Sequence, residues 1–440
     1  MDWASLHAKQ RGASFWKGFT TGKSQSMGGI PHDTYGMTTS SVHQYVLGIY
    51  RKLGLDETKI TKFQTGGPDG DLGSNEIKIS KDKTLAIVDG SGVLCDPNGI
   101  DRTELLRLAN ERIMVSNFDM SKLSKEGFRV LVTEKSVTLP GIFYFILFFL
   151  LCFMCSFFFQ KILIFFSFPF LLDGTVIDKC MEFRNLFHLH ISSSADLFVP
   201  CGGRPEAVNI NNVSLLFSSP SIDSVLAGGK AASSSSLVPR FKYIVEGANL
   251  FFTQAARLHL ESQGVIVFKD ASANKGGVTS SSLEVLAALS FSDEDFTKHM
   301  CVTDPSNPPS FYTEYVQEVK HTIEENARLE FECIWEENKK TGIANSILSD
   351  QLSNTINQMA DQMETSGFWE DEAFRKLILS RAFPKVLLKV NGYEKMTDNV
   401  PVPYLKAIFH SYLASRFIYK YGASPSQFAF FEFMQELQKK

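Results

Sequence analysis

The glycine-rich stretch Thr65–Asn75 (T-G-G-P-D-G-D-L-G-S-N) decides the fold. A strand-like run, Lys59–Gln64, precedes it, and the composition of residues 72–79 predicts the start of a helix. Glycine permits a tight turn and lets the backbone approach a pyrophosphate, whose charge then lies at the helix N-terminus. The context therefore predicts a phosphate-binding turn. Its glycines are spaced three residues apart: Gly67, Gly70 and Gly73.

A second strand strengthens this interpretation. Thr84–Val88 is apolar and ends in Asp89-Gly90-Ser91-Gly92, and Asp89 lies about 20 residues after Gly70. An acid at that offset holds the adenosine ribose hydroxyls in dinucleotide-binding proteins. The alternative is that Asp89 is a turn or capping aspartate. Together, the glycine turn and this acid favour a dinucleotide site.

Length, charge and cysteine content limit the classes of protein that this sequence fits. At 440 residues the chain is long enough for two or three domain cores. A formal charge of −4 and the lack of a basic stripe give no reason to expect nucleic acid. The seven scattered cysteines suit a reducing compartment, and the N-terminus has no secretory-signal pattern. We expect a cytoplasmic or mitochondrial location. Membrane association is expected only if an apolar segment at 141–172 is part of the mature protein.

That segment, Gly141–Leu172, is rich in phenylalanine, and residues 141–159 alone are long enough to span a bilayer. Without it, Ser136–Pro140 would join Asp173–Ile177 through a Pro-Asp-Gly turn, which predicts a β-hairpin. We interpret the segment as a translated intron or gene-model error; a membrane helix is the alternative. We assign no redox or metal role to Cys152 and Cys155. Sequencing the spliced transcript decides between the two, and an mRNA that encodes the phenylalanine tract would refute our interpretation.

Strands and helices alternate from residue 58 to about residue 290, which predicts an α/β fold with a doubly wound, Rossmann-like parallel sheet. Residues 1–57 are predicted to be a fragment of a substrate domain, and residues 291–440 a helical C-terminal region. Three later strands end in small or polar residues at one edge of the sheet, where such sheets bind ligands. These strands, with the residues that end them, are Ala195–Gly203, Tyr243–Asn249 and Gly264–Asp270.

Several single residues are candidates for chemistry. Asn249 and Asn274 are predicted partners for the nicotinamide end of a cofactor, with turn asparagines as the alternative. His32 and Asp33 are candidates for an acid–base pair, with a solvated turn as the alternative. Cys201 fits a packed thiol better than a nucleophile. Lys23 is not interpreted as a P-loop lysine, because the required earlier glycine is absent.

Blocks along most of the chain resemble the large NAD-specific glutamate dehydrogenases, with 141–172 and 214–240 as the exceptions. The blocks Gly66–Asn75 and Lys269–Ser282 are the most specific. The others are Thr20–Thr39, Ala86–Asp101, Ala195–Val208, Tyr243–Thr253, Glu324–Glu330 and Tyr404–Tyr421.

The resemblance implies oxidative deamination of L-glutamate to 2-oxoglutarate and ammonia with NAD, and a homo-oligomeric full-length enzyme. It places Asp89 at the adenosine ribose, and Val278 and Ser281 in the glutamate pocket. A carboxylate at Asp89 agrees with NAD over NADP, since a 2′-phosphate would be repelled. The residues implied at the pyrophosphate are Gly67, Gly70, Gly73, Ser74 and Asn75, and those implied around the nicotinamide are Thr38, Asn249 and Asn274.

The sequence departs from the family at its beginning. Members carry a substrate-polarising lysine and a proton-shuttling aspartate before the block that contains Thr21 and Lys23, and Lys9, Lys17 and Asp2 do not match those two residues. We therefore expect a carboxyl-terminal part of a longer enzyme, with no catalytic residue assigned, weak NAD binding and little turnover. The alternatives are a non-catalytic NAD-binding or membrane-tethered interaction protein, and a dehydrogenase of the same superfamily that acts on leucine or valine.

Overall fold

A seven-stranded sheet forms the centre of the protein. The structure is a computed structural model that describes residues 1–140, 175–218 and 238–439. In the sheet the strands lie in the order β11-β10-β7-β1-β2-β3-β4. The strands and two short hairpins are β1 Thr61–Thr65, β2 Lys83–Val88, β3 Gly92–Cys95, β4 Phe128–Leu131, β5 Val137–Thr138, β6 Val176–Ile177, β7 Leu197–Pro200, β8 Phe217–Ser218, β9 Val238–Pro239, β10 Tyr243–Val245 and β11 Ile266–Phe268.

Helices cover both faces of this sheet and form the C-terminal region. The α-helices of the described residues are α1 Asp2–Gln10, α2 His32–Tyr35, α3 Met37–Leu53, α4 Asp71–Ile79, α5 Arg102–Glu111, α6 Cys180–Leu186, α7 Gln254–Ser262, α8 Asp270–Ala273, α9 Gly276–Ser290, α10 Asp293–Met300, α11 Ser310–Thr341, α12 Asn345–Glu364, α13 Glu372–Ala382, α14 Lys385–Asn399, α15 Val402–Tyr421 and α16 Gln427–Lys439. Short 3₁₀ turns lie at Trp16–Gly18, Gln25–Met27, Glu57–Lys59, Val115–Asn117, Met120–Lys122, Phe187–Leu189, Ile191–Ser193, Val213–Leu216 and Gly367–Trp369.

The parallel strands fix where a ligand can bind. β1 pairs in parallel with β2 on one side and with β7 on the other, and β10 and β11 continue the sheet beyond β7. After β4 the chain passes back across the sheet and continues with β7 on the other side of β1. The strand order therefore changes direction between the neighbouring strands β1 and β7. In open α/β sheets the ligand crevice lies outside the carboxyl ends of the strands at such a switch point. The predicted Rossmann-like α/β fold is confirmed.

One edge of the sheet corrects the expectation of an all-parallel sheet. β3, which we had not predicted, pairs antiparallel with β2, and β4 pairs antiparallel with β3. The physical reason is the tight turn that follows β2: the amide of Asp89 donates to the carbonyl of Gly92 at 3.0 Å. The turn sends the chain straight back, so no crossover helix separates β2 from β3. The sheet is therefore mixed: β3 alone runs against the other strands, and β4, at the edge, runs in the same direction as β2.

Side chains that alternate along the strands fill a core on each face. On β7, Leu197 and Val199 pack into a cluster with α3, α9 and the C-terminal helices, while Phe198 packs into a cluster on the opposite face. A third cluster joins α4 and α5 to β2 and β3. Residues from all three predicted segments share the first cluster, and α3 packs closely against α11. The division at residues 57 and 290 stays a prediction.

The residues that flank the apolar segment pair as predicted. Val137 lies opposite Ile177, and Thr138 lies opposite Val176, in an antiparallel ladder. The predicted hairpin between these two runs is confirmed. The segment 141–172 itself, with Cys152 and Cys155, lies outside the described residues, as does most of the serine-rich stretch between β8 and β9. In the parts of the chain that the structure describes, no helix combines the length and the apolar character needed to cross a membrane.

Candidate functional site

The loop after β1 lies at the switch point and packs tightly against its surroundings. Gly66 has a φ of +87°, a conformation that favours glycine, and its amide donates to the carbonyl of Val88 at 2.8 Å. A Cβ on Gly66 would lie 2.7 Å from the backbone of Cys201, at the end of β7. The ends of β1, β2 and β7 therefore meet around this one residue.

Two of the three predicted glycines are sterically required. A Cβ on Gly73 would overlap the carbonyl oxygens of Gly66 and Gly67, and a Cβ on Gly67 would overlap the side chain of Asp89. Gly70 is different, because its Cβ would meet only the carbonyl of Gly67, at 3.5 Å. Gly70 begins α4 without a side-chain cap. The first amides of α4 therefore remain available to an anionic ligand.

Ser74 and Asn75 are used within the protein. The Ser74 hydroxyl is buried and donates to the carbonyl of Asp71 at 3.2 Å. The Asn75 amide nitrogen donates to the carbonyl of Asp71 at 2.9 Å and to that of Asp33, in α2, at 2.7 Å. Asn75 thus ties α4 to α2. The predicted contacts of Ser74 and Asn75 with a pyrophosphate stay predictions.

The carboxylate of Asp89 is buried, with 3% of the residue exposed. Its Oδ1 accepts hydrogen bonds from the amide and the hydroxyl of Ser91, both at 2.7 Å, and from the amide of Gly92 at 3.2 Å. Its Oδ2 accepts one from the amide of Val115 at 2.7 Å. These bonds fit the capping alternative, since they hold the β2–β3 turn and the next loop. Its role at the ribose stays a prediction.

A second aspartate lies beside it. Asp69 Oδ1 and Asp89 Oδ2 lie 2.6 Å and 2.7 Å from the position that a Cβ on Gly67 would take. Asp69 is half-buried, and both this burial and the charge of Asp89 raise its pKa. Arg112 is also close, but its guanidinium donates to the carbonyls of Gly70 at 3.0 Å and Asp33 at 2.8 Å.

Two of the three residues predicted for the nicotinamide end contact each other. The side-chain nitrogen of Asn274 donates to Asn249 Oδ1 at 2.6 Å and to the carbonyl of Gly247 at 3.0 Å. Thr38 packs against the start of α9, where a Cβ on Gly277 would lie 3.1 Å from its Oγ1. The loop after β10 and the end of α8, 25 residues apart, thus hold the two asparagines against each other.

The residues predicted for the glutamate pocket lie on α9. Val278 is 73% exposed, and Ser281 Oγ accepts a hydrogen bond from Thr21 Oγ1 at 3.0 Å. His32 Nε2 lies 3.5 Å from the same Ser281 oxygen. His32 Nε2 therefore faces Ser281, while the backbone carbonyl of Asp33 accepts hydrogen bonds from Asn75 and Arg112. The polar groups of α2 and of the N-terminal segment converge on this helix.

A buried ion pair holds the N-terminal segment against α9. Lys23 Nζ donates to Glu284 Oε1 at 2.5 Å, and both side chains are fully buried. Glu284 Oε2 accepts hydrogen bonds from the amides of Gly22 at 3.0 Å and Ile30 at 2.9 Å. A carboxylate that accepts three bonds from one segment fixes that segment firmly. Lys23 is therefore a structural residue.

Other early ionisable groups are also occupied. Lys17 Nζ donates to the carbonyl of Phe291 at 2.5 Å and lies 3.1 Å from Asp293. Lys9 Nζ lies over the ring of Trp16, at 4.2 Å from its centroid. Asp2 accepts the amide of Ser24, and its bonds with Ser24 lower its pKa.

Cys201 fits the packed-thiol interpretation. Its amide donates to the carbonyl of Thr65 at 2.6 Å, and burial raises the pKa of its thiol well above the usual range. A thiol of raised pKa is a poor nucleophile. Across residues 1–140, 175–218 and 238–439, no group of His, Cys, Asp and Glu side chains has the arrangement of a metal site.

The sequence analysis missed several residues that shape this site. Gly66 and Asp69 lie in the quoted stretch, and the unusual doublet Gly66-Gly67 was a usable signal for the first. Glu284 is the single charged residue in the otherwise small and apolar run 276–290, which is a signal for a buried charge. Nothing local marks Thr21 as a partner of Ser281, because 260 residues separate the two.

Comparisons with known proteins agree with the geometry. The family model of Glutamate/Leucine/Phenylalanine/Valine dehydrogenase matches residues 28–342. Glutamate dehydrogenase 2 of Dictyostelium discoideum is 55% identical over all of this chain and 38% of its own length. The NAD-specific glutamate dehydrogenase of Neurospora crassa is 52% identical over 99% of this chain and 37% of its own length. This chain thus spans less than two fifths of the length of either relative.

Among solved structures, the hetero-hexameric glutamate dehydrogenase of Thermus thermophilus in its Leu bound form is one match. It covers 78% of this chain and 56% of its own chain at 14% identity, with a TM-score of 0.44. The family model alone covers well over half of the sequence. The chain belongs to the Glutamate/Leucine/Phenylalanine/Valine dehydrogenase family.

Proposed function

We propose that this chain binds NAD and forms the nicotinamide and glutamate ends of an NAD-dependent glutamate dehydrogenase. That enzyme deaminates L-glutamate oxidatively to 2-oxoglutarate and ammonia. The observation that carries the proposal is the glycine loop at the switch point of the sheet, with Gly66, Gly67 and Gly73 too closely packed for any side chain. The names of the two relatives, glutamate dehydrogenase and NAD-specific glutamate dehydrogenase, support the substrate and the cofactor.

The described residues fit a dinucleotide. The first turn of α4 offers amides that no side chain caps, and the bare backbone of the loop lets a pyrophosphate approach. Asn249 and Asn274 contact each other, Thr38 lies against the start of α9, and these three residues would hold the nicotinamide end. When bound, NAD supplies the hydride acceptor for the oxidation of the substrate.

The chain's own residues would bind and orient the substrate. Ser281, supported by Thr21, offers a hydroxyl to a carboxylate, and the exposed Val278 offers an apolar surface to the substrate chain. Lys17 and Lys23 already bind partners inside the protein, so we assign neither of them to proton transfer. We therefore use binding, and not turnover, as the first test.

The test is a titration of the 440-residue chain with NADH, followed by nucleotide fluorescence. We expect 2-oxoglutarate to tighten NADH binding, and the keto acids of leucine and valine to have little effect. A preference for those branched keto acids would favour the leucine or valine alternative. Tight NADH binding that no keto acid alters would favour the non-catalytic alternative.

Turnover is the second measurement. Because the family's proton-transfer lysine and aspartate have no match among Lys9, Lys17 and Asp2, we expect glutamate-dependent NADH formation by this chain to be slow. The loss of an acid–base group typically costs about 10²–10⁴-fold in rate. Rapid NADH formation by the purified chain would contradict this expectation.

A further inference from the structure

Two aspartates lie at the adenosine end of the proposed site, and their carboxylates differ in burial and in the number of hydrogen bonds that they accept. Asp69 and Asp89 both reach the point where a side chain on Gly67 would begin. Asp89 follows β2, the position from which an acid reaches the adenosine ribose in dinucleotide-binding folds. The structure distinguishes the two residues by what their oxygens already bind.

The carboxylate of Asp89 already accepts hydrogen bonds from the protein. Four hydrogen bonds from Ser91, Gly92 and Val115 converge on its two oxygens, and the residue is almost fully buried. A buried carboxylate with this many donors is expensive to detach, because the amides would lose their acceptor. Asp89 therefore shapes the β2–β3 turn.

Asp69 has the opposite character. It lies in the loop and is half-buried, and its carboxylate interacts with its own amide and with that of Gly70. Asp69 Oδ1 lies 2.6 Å, and Asp89 Oδ2 2.7 Å, from the point where a Cβ on Gly67 would begin. Of these two neighbouring carboxylates, that of Asp69 is the less buried.

The positive charge nearby is held by the protein, although it lowers the pKa of Asp69 against the larger effects of burial and of Asp89. The guanidinium of Arg112 is engaged by the carbonyls of Gly70 and Asp33. A cofactor with a 2′-phosphate needs a free arginine at this point, whereas a ribose with free hydroxyls needs an acceptor. Asp69 provides the acceptor.

We infer that Asp69, and not Asp89, is the residue that selects NAD over NADP in this chain, while Asp89 positions the loop beneath it. The inference rests on the proposed function. The Asp69 carboxylate accepts hydrogen bonds from the ribose hydroxyls and repels a 2′-phosphate at contact range. Asp89 acts only through the turn that it caps.

The test compares the dissociation constants of NAD and NADP for the full chain and for Asp69→Asn, which keeps the shape and removes the charge. We expect the wild-type chain to prefer NAD, and Asp69→Asn to reduce the NAD-to-NADP preference by about tenfold or more, as expected for the loss of one charge repulsion at close range. Asp69→Ser, which also opens space for a phosphate, should reduce the preference further. Asp56→Asn removes one exposed charge at the opposite end of β1 and should leave the preference unchanged.

Asp89→Asn separates the two roles. An asparagine places an NH₂ group against the backbone amides that now donate hydrogen bonds to Asp89. We therefore expect a lower melting temperature, and weaker binding of both nucleotides in similar proportion. A folded Asp69→Asn variant with the wild-type preference would overturn the inference, as would an Asp89→Asn variant that melts normally and loses the preference. A wild-type chain that binds neither nucleotide would instead overturn the proposed function, and the inference with it.

Discussion

The two ends of the candidate site are built in different ways. At the cofactor end, the loop after β1 is closely packed: a Cβ on Gly66 or Gly73 would meet backbone, and a Cβ on Gly67 would meet the side chains of Asp69 and Asp89. At the substrate end, the start of α9 is held by side chains from distant parts of the chain, such as the Lys23–Glu284 ion pair. The first end depends on the absence of side chains, and the second depends on charged partners being present. The two ends should therefore respond differently to substitution.

Lys23→Met should have the largest effect. It leaves the Glu284 carboxylate buried with only two backbone amides, a loss that typically costs about 3–5 kcal/mol of stability. Urea unfolding at neutral pH measures this loss of stability. The double variant Lys23→Met/Glu284→Gln removes both charges and should recover part of the loss. A cost below about 1 kcal/mol for Lys23→Met, the range of exposed pairs, would show that the substrate end does not depend on this pair.

Gly73→Ala should have the next largest effect on stability and should abolish NAD binding. The added methyl group overlaps two carbonyl oxygens, and overpacking of this kind costs about 1–3 kcal/mol. Gly70→Ala is the matched stability control, since its Cβ meets one oxygen at 3.5 Å and its φ of −79° suits alanine. Thermal unfolding compares the two variants. Equal stability would contradict the view that backbone contact holds this loop.

Asp71→Asn should have the smallest effect. Burial and the nearby charge of Asp33 raise the pKa of Asp71. A raised pKa in the folded state means that Asp71 costs stability once it ionises, as the pH rises through that pKa. Asp71→Asn should therefore be more stable than the wild type at pH 7, by about a few tenths of a kcal/mol, because Asp71 is partly exposed and screened.

The same variant should lose this advantage as the pH falls towards the ordinary aspartate range, where the wild-type carboxyl is protonated. Denaturant unfolding at pH 7 and near pH 4.5 checks the sign. A variant that is less stable than the wild type at pH 7 would show that the Asp71–Asn75 hydrogen bond outweighs the burial of charge.

The same contrast explains what the sequence could predict. The glycine spacing predicted the turn between β1 and α4, because that turn depends on residues close in sequence. The pairing of β5 with β6 was predictable from the β-rich runs on either side of the apolar segment. The reversal of β3 was missed because a turn motif at Asp89 does not state the direction of the next strand. The Lys23–Glu284 pair joins residues 261 positions apart, and local spacing carries no information about such a contact.

Asp89 shows that a motif can predict the position of a residue in the fold without deciding its role. Its position after β2 marks the right place in the fold, yet its partners, Ser91, Gly92 and Val115, are set by the turn and by a loop 26 residues away. Only the structure shows that its oxygens are occupied. The sequence did not single out the nearby Asp69 as a site residue, because aspartate is common in turns such as Pro-Asp-Gly.

Calorimetric titration of the purified 440-residue chain with NAD tests the central claim most directly, namely that the glycine loop at the switch point binds a dinucleotide. We predict measurable heat that saturates at one site per chain and disappears in Gly73→Ala. A folded wild-type chain that gives no heat with NAD, or a Gly73→Ala variant that binds as the wild type does, would contradict the claim.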